Sequence, residues 1–215
     1  MNSKAVSTVI AAALIVAIAL GLTSTAYIWG TPLIEKRQEA SVTERVYNQF
    51  LQTNQNSLPK IIEDVANNRG VRSFTIGANG AWVLNANEDS IEFTFTSKTS
   101  NVAANMQNPI SLTPGVQCTG QQNSPSPAVG VLGQDSSSVV CVSATTVGDT
   151  FEIKYKIWFR ELVDNPFSPT QKFKIDLEKD PTGLDRSSSK TIKITFGESV
   201  TSGTLITKKI LILLI

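Results

Sequence analysis

The stretch "SKAVSTVIAAALIVAIALGLTSTAYIWG", from Ser3 to Gly30, constrains this chain more than any other. After Lys4 no charged residue occurs until Glu35, and Val9 to Leu20 is an unbroken apolar run. As a helix rising about 1.5 Å per residue, the uncharged residues Ala5 to Ile34 would extend roughly 45 Å, more than the hydrocarbon core of a bilayer requires. Three readings fit such a segment. One is a signal peptide, with Ser24-Thr25-Ala26 as the small residues before a cleavage site. The second is a single-span membrane anchor. The third is a helix built to pack against other helices. Basic residues do not decide its orientation, because Lys4 and the amino terminus at one end balance Lys36 and Arg37 at the other.

Side-chain size speaks for the third reading. Ala11, Ala12, Ala13, Ala17, Ala19, Gly21 and Ala26 are spread along the run between Leu, Ile and Val. Small residues let helix backbones approach closely in an apolar setting, and Ala13, Ala17 and Gly21 are the candidate contact positions. The run is also apolar all round, as a helix must be when neighbours surround it. Against this stands the plain fact that alanine suits any spanning helix.

"KAVSTVI" followed by small and branched apolar residues resembles the N-terminus of archaeal type IV pilins. In that family a short leader ends in a basic residue plus Gly or Ala, and a membrane-embedded prepilin peptidase removes it. The resemblance implies a leader of residues 1–5, cleavage between Ala5 and Val6, and retention of the apolar helix on the mature chain. Ala5 stands where the family more often has Gly, and Thr8 where many relatives carry Pro. The family's properties imply a precursor held in the cell membrane, then an extracellular filament of identical subunits raised by a dedicated assembly machinery.

Beyond Gly30 a kink or short break is expected at Pro32, which removes one helical hydrogen bond near Ile28. The segment 35–69 turns amphipathic. Val42, Val46, Tyr47, Phe50 and Leu51 fall at three- and four-residue spacing, a stripe for a domain to pack against. A second short helix follows, with Ser57 as N-cap, Pro59 in the first turn and a stop at Asn68 to Gly70. Residues 6–69 thus read as a helical stalk, apolar over 6–34 and amphipathic over 35–69.

From residue 70 the apolar period changes to two. "SIEFTFTS" places Ile91, Phe93 and Phe95 on one face. "TFEIKYKIWFREL" sets Phe151, Ile153, Tyr155, Ile157 and Phe159 against Glu152, Lys154, Lys156, Trp158 and Arg160. "QKFKIDLE" and "KTIKITFG" repeat the pattern, and the terminal "ILILLI" reads as a central or doubly covered strand. The expected fold is α+β: a long N-terminal helix, then an antiparallel β-sandwich or partly closed barrel over 70–215. A polar stretch between the first two of these strands reads as surface loop, with a short strand at Ala128 to Leu132.

Cys118 and Cys141 are the only cysteines. In an exported chain they pair, closing a loop at a gain on the order of 3 kcal/mol in the chain-entropy model. Two buried free thiols in a reducing compartment are the other reading. Their spacing does not fit a zinc or redox C-x-x-C site.

Chemistry-bearing motifs are scarce. The chain has no histidine and a net charge of +1, with Lys and Arg interspersed among Asp and Glu, so neither a metal or cofactor site nor nucleic-acid binding is expected. There is no phosphate-binding loop and no nucleophile elbow. Glu161 with Asp164, or Glu178 with Asp180, are the carboxylate pairs to weigh for hydrolysis, but carboxylates near strand ends are usually solvated. Trp82 and Trp158 are candidates for a sugar-stacking face, or for contacts to a loop or the stalk. A filament subunit used in surface adhesion, with no catalytic activity, is the expectation. The alternative is a membrane-tethered extracellular binding protein, for carbohydrate if those tryptophans are exposed.

Overall fold

The computed structural model describes residues 3–105, 108–118 and 125–215, with side chains placed from residue 10 onward except at Pro125. The fold is α+β. Helix α1 (Ser3–Phe50) is 48 residues long, and α2 spans Leu58–Asn68. The strands follow in chain order: β1 (Val71–Thr75), β2 (Ala81–Asn85), β3 (Ser90–Ser97), β4 (Ile110–Ser111), β5 (Gln117–Cys118), β6 (Pro125–Ser126) and β7 (Val129–Val131). Then come β8 (Ser138–Val147), β9 (Thr150–Phe159), β10 (Glu161–Val163), β11 (Lys172–Lys179), β12 (Arg186–Ser187), β13 (Thr191–Ser202) and β14 (Leu205–Leu213). The chain divides into two compact units, residues 1–39 and 40–215.

In the larger unit, one six-stranded sheet runs β1-β13-β14-β11-β10-β7 and another β12-β2-β3-β9-β8-β4. Their apolar faces share one core. Phe74, Ile192, Ile194, Ile210 and Ile212 come from the first sheet, and Trp82, Phe93, Ile153, Tyr155 and Ile157 from the second. The stripe expected on the amphipathic segment lands in this core. Val46 and Phe50 are fully buried there, Val42 and Tyr47 pack beside them, and α2 adds Leu58, Ile62 and Val65. Residues 40–69, grouped with the stalk on periodicity, therefore belong to the head's core. Gln49 at the end of α1 donates to the Thr75 carbonyl (2.8 Å) and accepts from the Gly77 amide (2.8 Å). Thr43 shares a 3.2 Å hydrogen bond with Ser97 of β3. These bonds hold the helix end to both sheets.

Two details differ from expectation. The head is not wholly antiparallel, because β14 runs parallel to β11 and β10 parallel to β7. After β11 the chain crosses to the other sheet at β12 and returns on β13, so the β13–β14 hairpin lays β14 beside β11 in the same direction. Helix α1 runs through Pro32 without a break. Helix α2 begins and ends as expected, with Ser57 at its N-cap, where its hydroxyl makes no cap bond, and Arg69 at its C-cap in the left-handed conformation (φ 55°).

The "ILILLI" end behaves as a central strand: β14 lies between β13 and β11, with Ile210 and Ile212 fully buried. On the outer side of the second sheet a smaller cluster joins Val116, Cys118, Val139, Cys141 and Trp158. Cys118 and Cys141 are bonded, with Cα atoms 6.0 Å apart. The bond ties the loop segment at β5 onto β8, and this covers Trp158. Reduction should release that cover first, since a 23-residue separation corresponds to about 3 kcal/mol of lost chain constraint. The expected result is a lower melting temperature and a red shift of Trp158 emission in reductant. Free thiols titrating in the native, unreduced protein would contradict the bond.

Candidate functional site: the exposed apolar helix

In the unit 1–39, every described side chain from Ile10 to Trp29 is exposed. Among them are Leu14 (56 %), Ile15 (68 %) and Leu22 (68 %), fractions that a water-soluble surface does not sustain over five turns. Within the described residues, this helix alone is long and apolar enough to cross a membrane, with a mean hydropathy of 2.0 over its best window. It has the composition of a membrane anchor or a signal segment.

Ala13, Ala17 and Gly21 stand four residues apart and so follow one face of the helix. Thr25, four further on, extends the row. A Cβ built on Gly21 meets nothing within 4 Å, so no contact inside the chain requires a glycine there. A mid-helix glycine costs about 0.5–1 kcal/mol relative to alanine, and close approach of another backbone is the usual compensation. Ala5 and Val6, the candidate cleavage pair, lie in the first turns of α1, where side chains are outside the described set.

The described threonine hydroxyls of this helix are satisfied internally. Thr23, Thr25 and Thr31 donate to the carbonyls of Ala19, Gly21 and Tyr27, each at 2.8 Å. Hydroxyls bonded four residues back need no water, which suits both lipid and a dry helix bundle. Tyr27 and Trp29, 73 % and 79 % exposed, precede the charged cluster Glu35 to Arg37. Aromatic rings at such a boundary suit the headgroup layer. That signal was present in the sequence but carried no weight in its reading.

The other singled-out residues are used by the fold. Trp82 is fully buried, its ring 4.6 Å from that of Phe93. Trp158 is 8 % exposed, with Lys156 Nζ 4.4 Å above its ring. Neither offers a stacking platform, and Trp158 makes the loop contact weighed for it. Glu161 pairs with Lys172 (3.1 Å) and Glu178 with Lys209 (3.0 Å). Asp164 accepts from the Thr170 hydroxyl and from backbone amides of its own loop, which brings its pKa down to about 2. Asp180 is lowered by the Thr182 hydroxyl and amide in its turn. These carboxylates organise turns and pair strands.

One carboxyl is raised. The hydrogen bond that Asp176 donates to Asp89 when protonated, together with burial and the Asp89 charge, lifts it to about 6. Lys174 pairs with Asp89 Oδ2, but Asp89 Oδ1 is buried without a donor among the described residues, and a proton on Asp176 gives that carboxylate a further one. Because the folded value lies above the unfolded one, this contribution is complete below about pH 3.8 and is lost as pH rises through about 6. The melting temperature should therefore rise between pH 7 and pH 5, and the rise should shrink in Asp176→Asn. Asp164, held near 2, and Glu63, lowered despite its burial by Lys60 and Ser138, oppose this trend only at more acid pH. Compared with family models, with curated proteins and with solved structures, the chain matches none.

Proposed function

We propose that the protein is a non-catalytic structural subunit of an extracellular type IV pilus-like filament, assembled through a bundle of its N-terminal apolar helices and used in surface adhesion. The observation that carries this reading is the apolar helix exposed on every side, with Ala13, Ala17 and Gly21 in one row. The resemblance of "KAVSTVI" to archaeal type IV pilins supports it. In the precursor the helix is solvated by lipid, and in the filament by its own copies. Apolar burial is retained in both states, so the transfer draws on close packing and on an external assembly machinery rather than on the hydrophobic effect.

Electron microscopy of the purified native protein tests the reading, with helical filaments as the expected result. Isolated particles would favour the membrane-tethered binding protein instead. A carbohydrate version of that alternative has lost its motive, because Trp82 and Trp158 are buried. N-terminal mass spectrometry of the secreted form should find Val6 as the first residue. A start at Tyr27 would mean ordinary signal-peptide cleavage, which discards the helix and sinks the proposal.

A further inference from the structure

Phe167 is 96 % exposed, the most solvent-exposed large apolar side chain described. It sits at the tip of the β10–β11 connection, in "DNPFSPT", Asp164 to Thr170. This loop is not slack. Asp164 Oδ1 accepts from the amides of Asn165 (2.8 Å) and Thr170 (3.0 Å), and Asn165 Oδ1 accepts from the Phe167 amide (2.9 Å). The Asp164 amide donates to the Gln171 carbonyl at 3.1 Å. Pro166 and Pro169 fix φ on either side of the ring. An aromatic side chain in water on a preorganised loop has the properties of an interface anchor, since little entropy remains to be lost when it is buried.

At the base of the same hairpin lies a cleft of ≈ 350 Å³ between α2, β10, β11, β14 and the segment after β7. Its lining combines the apolar side chains of Leu132, Leu162, Phe173 and Ile206 with Lys60 and Lys208. The acids beside it are engaged. Glu63 is bonded by Lys60 and by the hydroxyls of Ser136, Ser137 and Ser138, and Asp135 faces Arg160 at 3.6 Å. Lys208 makes no ion pair among the described residues, and its Nζ donates to Asn67 Oδ1 at 2.8 Å. Burial, with Arg69 nearby, holds its pKa below the usual lysine value, as expected of a cation short of a counter-charge. The Phe167 loop brings that charge, because Asp164 is exposed and ionised.

We infer that Phe167 of one copy seats in the apolar cleft of the next, with Asp164 facing Lys208, as a head-to-head contact between copies of this chain. Tip and base are different surfaces, so each copy offers its loop to one neighbour and its cleft to another. Heterologous contacts of this kind form a ring when the rotation between copies closes and an open helical filament when it does not, so they are compatible with a filament. The inference deepens the filament reading by adding an outer contact to the helical core.

The test uses the full chain with photoreactive benzoylphenylalanine in place of Phe167, irradiated in assembled filaments and in concentrated detergent solution. The expected result is an intermolecular crosslink to the peptides that carry Leu132 or Phe173. Crosslinks to lipid, to detergent or to another surface alone, or none, would overturn the inference. Lys208→Glu should lower the crosslink yield about tenfold, since like charges would then meet; an unchanged yield would overturn the charge pairing. Phe167→Ala, which touches no core residue, should weaken head self-association about thirty-fold if the ring is an anchor. The two readings fail separately. Crosslinked dimers of a chain that never forms filaments would keep this contact and remove the filament, whereas filaments without the crosslink would do the reverse.

Discussion

Ala17→Leu is expected to leave the protein inserted in the membrane with its head folded, and to reduce filament yield at least about tenfold. The added isobutyl group faces lipid in the precursor, where it keeps or raises membrane affinity. The head has its own core within residues 40–215, so its melting temperature should not change. In a helix bundle the same group enters a row of small residues, Ala13, Ala17 and Gly21, where backbones are close enough to exclude it. Overpacking costs about 1–3 kcal/mol at a single contact, and each subunit repeats the contact along the filament. Ile18→Leu keeps volume nearly constant outside that row and serves as the control, with expected yield near that of the unaltered chain. Counting filaments by electron microscopy against membrane-bound protein by immunoblot reads the effect. Normal filaments from well-expressed Ala17→Leu would show that position 17 is not packed. Ala17→Asp tests less, because a charge at that depth also penalises simple insertion.

The apolar run and the landing stripe were legible because each depends on a local property. Length and hydropathy give the helix, and three- and four-residue spacing places Val46 and Phe50 on one side. Alternation likewise assigned Ile153, Tyr155 and Ile157 to the core. What alternation does not encode is a strand's neighbour or direction. Neither the alternation of β11 nor the continuous apolar end of β14 names a neighbour or a direction, so the mixed sheet came from topology alone. The outer face of β9 illustrates a second limit. Lys156, Trp158 and Arg160 read as solvent-facing, yet all three are buried: the disulfide-tied loop covers Trp158, the segment before β8 holds Arg160, and Lys156 lies over the Trp158 ring and pairs with Glu88 and Glu92. Arg160 is held there by the carbonyls of Ser136 and Pro127. A contiguous "VVCV" in β8, apolar on both faces, carried the missing signal: Val140 and Val142 face the main core, while Val139 and Cys141 face the cluster around Trp158. The turn at Asn165-Pro166 was legible, but the cleft was not, since a cavity depends on which strands become neighbours.

Phe50→Ala is expected to destabilise the head by about 3–5 kcal/mol. Phe50 ends α1, is fully buried, and stacks on Tyr155 with ring centroids 4.5 Å apart and 14° between planes. Its ring also lies 6.3 Å from Trp82 and 6.4 Å from Phe93, so its removal leaves a cavity among large rings that have little freedom to collapse. At the size of this unit such a loss lowers the melting temperature by roughly 10 °C or more. Near-UV circular dichroism should record it, because the affected rings are the chromophores. The apolar part of α1 does not depend on this residue, so membrane insertion should persist while the head loosens. That separation makes the variant informative about assembly. If filaments form at normal yield with a destabilised head, the helix bundle alone drives polymerisation. If yield falls as well, contacts between folded heads are needed, which is the outcome a seated Phe167 requires. An unchanged melting temperature would mean that the end of α1 is not packed into the sheets.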